Sequence, residues 1–121
     1  MSILRGVVVT AVLFPGILLA EPYALIVCGA GRETNYEEQF ASWGQRLKDI
    51  LVNQCGHAED KIILLTQSGT EPGVTAKSSR ESALSRLRDL GVQTKPDDPL
   101  FVFLIGHGSY RHGVAKLNVE G

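Results

Sequence analysis

No stretch of this 121-residue chain is apolar for long enough to cross a bilayer as a helix. The longest mostly apolar run, Gly6 to Leu19, has 14 residues, where spanning takes roughly 20. There is no basic run and no interleaving of basic with aromatic residues, and the net charge is −1. A nucleic-acid partner is therefore not expected. Internal repeats and low-complexity tracts are missing, which excludes solenoids and tandem arrays. The Gly-x-Ser-x-Gly nucleophile elbow is also missing. Gly29-Ala30-Gly31 follows an apolar run but is not a dinucleotide loop. Thr34 stands where the third glycine belongs, and the second strand ends in Thr66-Gln67 with no acid for a ribose. His107 and His112 have no third ligand beside them, so no metal and no cofactor are expected.

What remains is a globular composition, 44% apolar and 21% charged. The length suits one small domain or part of a larger one. Met1 to Arg5 is short and basic, Gly6 to Leu19 is apolar, and Ala20 precedes Glu21-Pro22. This is the layout of a secretory signal peptide over residues 1–20, with residues 21–121 as the folded part. Export to a periplasm or beyond is expected, with no stable membrane association after cleavage. Leu18 is large for the −3 position, so an uncleaved membrane anchor is the alternative. Pro15-Gly16 argues against a core strand there.

Tyr23 to Cys28 is a continuous apolar run closed by glycines, a strand. Thr34 and Glu37 have capping-box spacing, and Tyr36, Phe40, Trp43, Leu47, Ile50 and Leu51 give a helix one apolar face as far as Gln54. Lys61 to Thr66 is a second strand. A second helix begins at Thr75 or at Ser78, whose spacing to Glu81 is again that of a capping box, and ends at Gly91. Leu100 to Ile105 is a third strand, read as buried on both faces. Alternation of this kind predicts an α/β fold: a three-layer, mostly parallel sheet, strand-helix-strand-helix-strand. Only a polar tail is expected after Gly108, with no helix left for the second face of the sheet. An N-terminal piece of a larger domain is therefore expected.

Two cysteines in an exported chain raise the question of a disulfide. Cys28 ends the first strand and Cys55 ends the helix running back from it. A helix of about 19 residues is about 28 Å long, whereas bridging needs Cα atoms within about 7 Å. The two are not expected to pair with each other; Cys28 shares the carboxyl edge with His107 and reads as a small core residue, with a Cys28–His107 nucleophile pair as the alternative.

The third strand delivers His107, between Gly106 and Gly108, to the carboxyl edge of the sheet, where parallel sheets open their ligand crevices. A histidine there exchanges protons near neutral pH, and Gly108 leaves its N–H unobstructed, a pairing that suits a general base beside an oxyanion-binding amide. A buried histidine held by backbone hydrogen bonds, with glycines that only make the turn, is the other reading. These residues alone leave both open.

Two patches taken together bring in a family. Asn35-Tyr36-Glu37-Glu38-Gln39 opens the first helix, and Phe101 to Ser109, Phe-Val-Phe-Leu-Ile-Gly-His-Gly-Ser, ends the third strand. Over residues 23–112 the chain resembles the amino-terminal half of legumain-type cysteine peptidases and, more broadly, of the caspase-like clan. That family has Asn-Tyr-Arg-His-Gln at the first place and an apolar strand ending in Asp-His-Gly-Ser at the second. Thr75-Ala76-Lys77 resembles its Thr-Pro-Lys entry to the second helix. The resemblance implies His107 as general base, Gly108 as oxyanion donor and Asn35 as support for the histidine, with a peptide or protein substrate. It also places the nucleophilic cysteine on a strand beyond His107, so this chain alone is expected to be inactive. Glu37 replaces the arginine of the family's specificity pocket, Glu38 its histidine, and Gly106 its acid. Two alternatives follow: a catalytically inactive caspase-like binding scaffold, or an α/β-hydrolase fragment.

Overall fold

The computed structural model describes residues 20–120; apart from Ala20, the expected signal segment lies outside them. At its centre is β1 (Tyr23–Cys28), with all six residues buried. An apolar run without alternation suits a strand that has helices on both faces. β2 (Ile62–Thr66) and β4 (Leu100–Ile105) flank β1, and the two-residue β3 (Ala76–Lys77) lies beyond β2. All pairings are parallel, in the order β3-β2-β1-β4. The fold is α/β.

The chain steps from β1 out to β2 through α1 (Thr34–Gln54), then back across β1 to β4 through α2 (Arg80–Gln93). Because the direction reverses, right-handed crossovers put the helices on opposite faces. Phe40 and Leu51 of α1 pack on Ala24, Ile26, Cys28, Ile62 and Leu64. Leu90 of α2 packs on Tyr23, Leu25, Val27 and Leu65. The second face is therefore covered, contrary to the expectation from sequence. No described helix is long and apolar enough to cross a membrane.

The structure corrects several expected details. The N-cap of α1 is Glu33, without a side-chain cap bond, rather than a capping box from Thr34. The capping box of α2 is Ser79 with Ser82, one residue later than expected, and α2 runs through Gly91. Ser78 is occupied otherwise: its hydroxyl donates to the Cys28 carbonyl at 2.7 Å. Strand β4 is not buried on both faces. Phe101, Val102 and Leu104 are 45%, 47% and 62% exposed, because β4 is an edge strand in the described sheet. Nor is the segment after Gly108 a plain tail. It forms an antiparallel hairpin, β5 (Gly108–Arg111) and β6 (Val114–Leu117), turning at His112-Gly113 with φ of 50° and 77°. Two consecutive positive φ values are what a two-residue hairpin loop needs.

Beyond β6 the chain crosses the carboxyl edge of the sheet as a strap. Asn118 accepts the Ala30 N–H at 2.7 Å, and Leu117 and Val119 pack on the α2 side. Glu120 accepts from the Gln67 amide at 2.9 Å and pairs with Lys77 at 3.3 Å.

Candidate active site at the carboxyl edge

Strand order reverses at β1, so the crevice between the carboxyl ends of β1 and β4 is the place where open α/β sheets bind ligands. The two strands stay in register up to Cys28 opposite Ile105. Gly29 and Gly106 then let the backbones nearly touch. A Cβ on Gly106 would lie 3.1 Å from the Gly29 Cα, and one on Gly29 would lie 2.6 Å from the Asn118 carbonyl oxygen. The glycines are needed for this close approach of β1, β4 and the strap.

His107 leaves β4 at this point. Its carbonyl accepts the Asn118 N–H at 2.9 Å, which anchors the backbone while the side chain is exposed. Its ring is held edge-on by two aromatics of α1, Tyr36 at 4.8 Å and Phe40 at 5.1 Å between centroids. A buried histidine with its turn glycines is thus not what the structure contains. Gly108 follows, opposite Leu117. The Asn118–His107 bond makes the preceding pair the hydrogen-bonded one, so the ladder directs the Gly108 N–H away from β6. A Cβ on Gly108 would lie 2.6 Å from the Lys116 carbonyl oxygen. An imidazole and an amide not used by the ladder therefore sit side by side.

Asn35 lies in the first turn of α1 and is exposed, and no hydrogen bond joins it to His107 among the described residues. The first turns of α1 reach the ring through Tyr36 and Phe40 instead. Beside His107 opens a cleft of about 660 Å³ lined by Arg32, Glu33, Tyr36, Arg80 and Lys116. Arg32, Arg80 and Lys116 were not singled out from sequence. Arg32 follows Gly31 on the β1 loop and Arg80 opens α2, so the parallel topology alone places both at the carboxyl edge. Lys116 belongs to β6, which the sequence reading left as tail. Glu37 and Glu38 line a different hollow, with Gln45, Ser68 and Glu71.

Cys28 shares the carboxyl edge but not the cleft. It is 1% exposed, and its thiol donates to the Phe40 carbonyl at 3.3 Å. Burial, helped by the Glu71 charge and opposed by the Gly44 backbone, pushes the thiol up to about 11. It is a neutral core side chain, and both cysteines are free. Comparison of the chain with protein-family models, curated proteins and solved structures finds no match.

Proposed function

We propose that this chain carries the histidine half of an exported cysteine endopeptidase of the caspase-like clan. His107 is the general base and the Gly108 N–H an oxyanion donor. The carrying observation is the exposed His107-Gly108 pair at the end of β4, where strand order reverses and next to a sheet edge that is open among the described residues. A further parallel strand on that edge would end beside His107, where a nucleophilic thiol has to lie. There a thiolate attacks the peptide carbonyl and forms a C–S bond. The oxyanion is held by backbone N–H groups, and the histidine passes its proton to the leaving amine. Water, deprotonated by the same histidine, then releases the acid. Cys28, buried with a raised pKa, is unsuited to be that thiol. Residues 1–20, read as a signal, support export.

The test is to read the encoding DNA beyond Gly121 and assay the longer product on peptides. A further apolar strand ending in cysteine is expected. Replacing that cysteine by alanine, or His107→Ala, should each cost about 10³-fold or more in kcat/KM, while Cys28→Ser leaves it unchanged. A frame with another residue at that place selects the second reading, an inactive caspase-like scaffold. Gly106, where the family has an acid, favours that alternative.

A further inference from the structure

We propose that Tyr36 is the positioning residue for His107, the part that likeness to the family gives to Asn35. This rests on the reading of His107 as general base and adds how its imidazole is aimed. A general base works when a third group orients it, and a hydrogen bond to the second ring nitrogen ordinarily does so. The described residues place no hydrogen-bond partner on the His107 ring and place two aromatic rings there instead. The imidazole stands at 76° to Tyr36 and at 75° to Phe40, with centroids 4.8 and 5.1 Å away. Edge-to-face contact at such separations is a preferred aromatic geometry. Tyr36 and Phe40 are four residues apart on one face of α1, with their own rings stacked at 6.0 Å. Two perpendicular contacts from this one stack leave the imidazole few orientations.

The clamp is itself held in place. Phe40 is 4% exposed and belongs to the core under α1. Tyr36 is 37% exposed, so the core does not fix it; Gly31 does. Gly31 is buried, and its N–H donates to the Gln67 side-chain oxygen at 2.7 Å. A Cβ on Gly31 would lie 2.9 Å from the Tyr36 Cβ and closer still to the Glu37 nitrogen. The loop after β1 therefore closes directly on the first turn of α1 and sets where the Tyr36 side chain begins. Asn35 stands beside Tyr36 on that turn, exposed and without a bond to the imidazole. A clamp of rings sets the plane of the imidazole and spends neither nitrogen on a fixed partner. Both nitrogens stay available for proton transfer with the thiol and the leaving amine.

The experiment follows the His107 side chain by NMR in the full chain, and kcat and KM in the longer protein. In the native chain the two Hα–Hβ couplings of His107 should differ, as for a single rotamer, and its ring protons should cross-relax with Tyr36 and Phe40. Tyr36→Phe should keep all of this. Tyr36→Leu should average the couplings and lower kcat about fivefold, with KM changed by less than about twofold. A folding defect would not give that split, nor be spared by Tyr36→Phe. Gly31→Ala displaces Tyr36 without removing a ring and should repeat the effect of Tyr36→Leu. Asn35→Ala should cost less than either. Averaged couplings in the native chain, or couplings that Tyr36→Leu leaves unequal, would overturn the proposal; so would a larger kcat loss in Asn35→Ala than in Tyr36→Leu. Failure of the peptidase reading looks different: the longer protein cleaves nothing, while the couplings still respond to Tyr36→Leu and Gly31→Ala. A longer protein that cleaves as fast with Tyr36→Leu as without it keeps the peptidase reading and removes this one.

Discussion

Cys28 and Cys55 are the same residue type in opposite surroundings. Cys28 lies under α1, its thiol bonded to the Phe40 carbonyl and its pKa pushed up to about 11 by burial. Cys55 is exposed at the C-cap of α1. At pH 8 only about one Cys28 in a thousand would be thiolate, even with access. Iodoacetamide on the native chain should therefore modify Cys55 at least about 100-fold faster than Cys28, and both alike in denaturant. Peptide mapping by mass spectrometry reads the ratio, and prompt labelling of native Cys28 would contradict the buried placement. At this scale the sequence shows His107 and Gly108 plainly, because an apolar run stopping at glycine marks a strand end. Tyr36, by contrast, reads as one more apolar position on a helix face. Only the packed structure turns it toward the imidazole, past the asparagine beside it.

At the scale of elements, α1 is pressed against the sheet at Gly44. A Cβ there would lie 2.6 Å from the Cys28 Sγ and 2.9 Å from the Leu64 Cδ1, both on fully buried side chains. Alanine in a helix interior ordinarily gains up to about 1 kcal/mol over glycine; here overpacking should outweigh it and cost a net ~1–2 kcal/mol. Chemical denaturation of Gly44→Ala measures this, and Cys28→Ala in the same chain should recover part of it. The β2–β3 loop is tied differently. Ser68 donates to both Glu71 oxygens, at 2.6 and 2.8 Å, and Thr66 donates as well. Burial works to raise the Glu71 pKa, but these hydrogen bonds prevail and hold it below its ordinary 4.5. A depressed folded pKa means stability that is complete above the ordinary value and lost as pH falls through the folded one. Thermal midpoints should thus fall more steeply below pH 4.5 in the native chain than in Glu71→Gln. Equal slopes would remove this role. The same region shows why boundaries misled. Ser78 and Ser79 both have box spacing, to Glu81 and Ser82. A tertiary bond from Ser78 to the Cys28 carbonyl decides between them, and Ala76-Lys77 is drawn into an edge strand on Leu65 and Thr66.

Across the whole molecule, β4 is the outermost strand on its side of the described sheet. The β1 amides of Tyr23 and Gly29 bond to the carbonyls of Pro99 and Ile105. In a parallel ladder the N–H and C=O of alternate residues face the same neighbour. Odd-numbered residues of β4 therefore face β1, and Leu100, Val102 and Leu104 offer their backbone groups outward. Phe101, Val102 and Leu104 of this strand are themselves exposed apolar side chains. Composition does not distinguish this strand from a fully buried one, since six apolar residues in a row suit both. Among the described residues the structure has an open edge at this strand, with Phe101, Val102 and Leu104 exposed on it, while both faces of the central sheet carry a helix. Open apolar edges recruit further strands, so the chain by itself should be marginally stable and associate with rising concentration. The register makes the test specific. Val102→Pro removes an outward N–H and should keep the fold while reducing association. Phe103→Pro removes an amide bonded to β1 and should cost about 3 kcal/mol or more. Sedimentation velocity and circular dichroism on the two variants read both effects. A native chain that stays monomeric at high concentration and unfolds cooperatively at a high midpoint would show that this edge needs no partner; equal damage from the two prolines would show that the register is wrong.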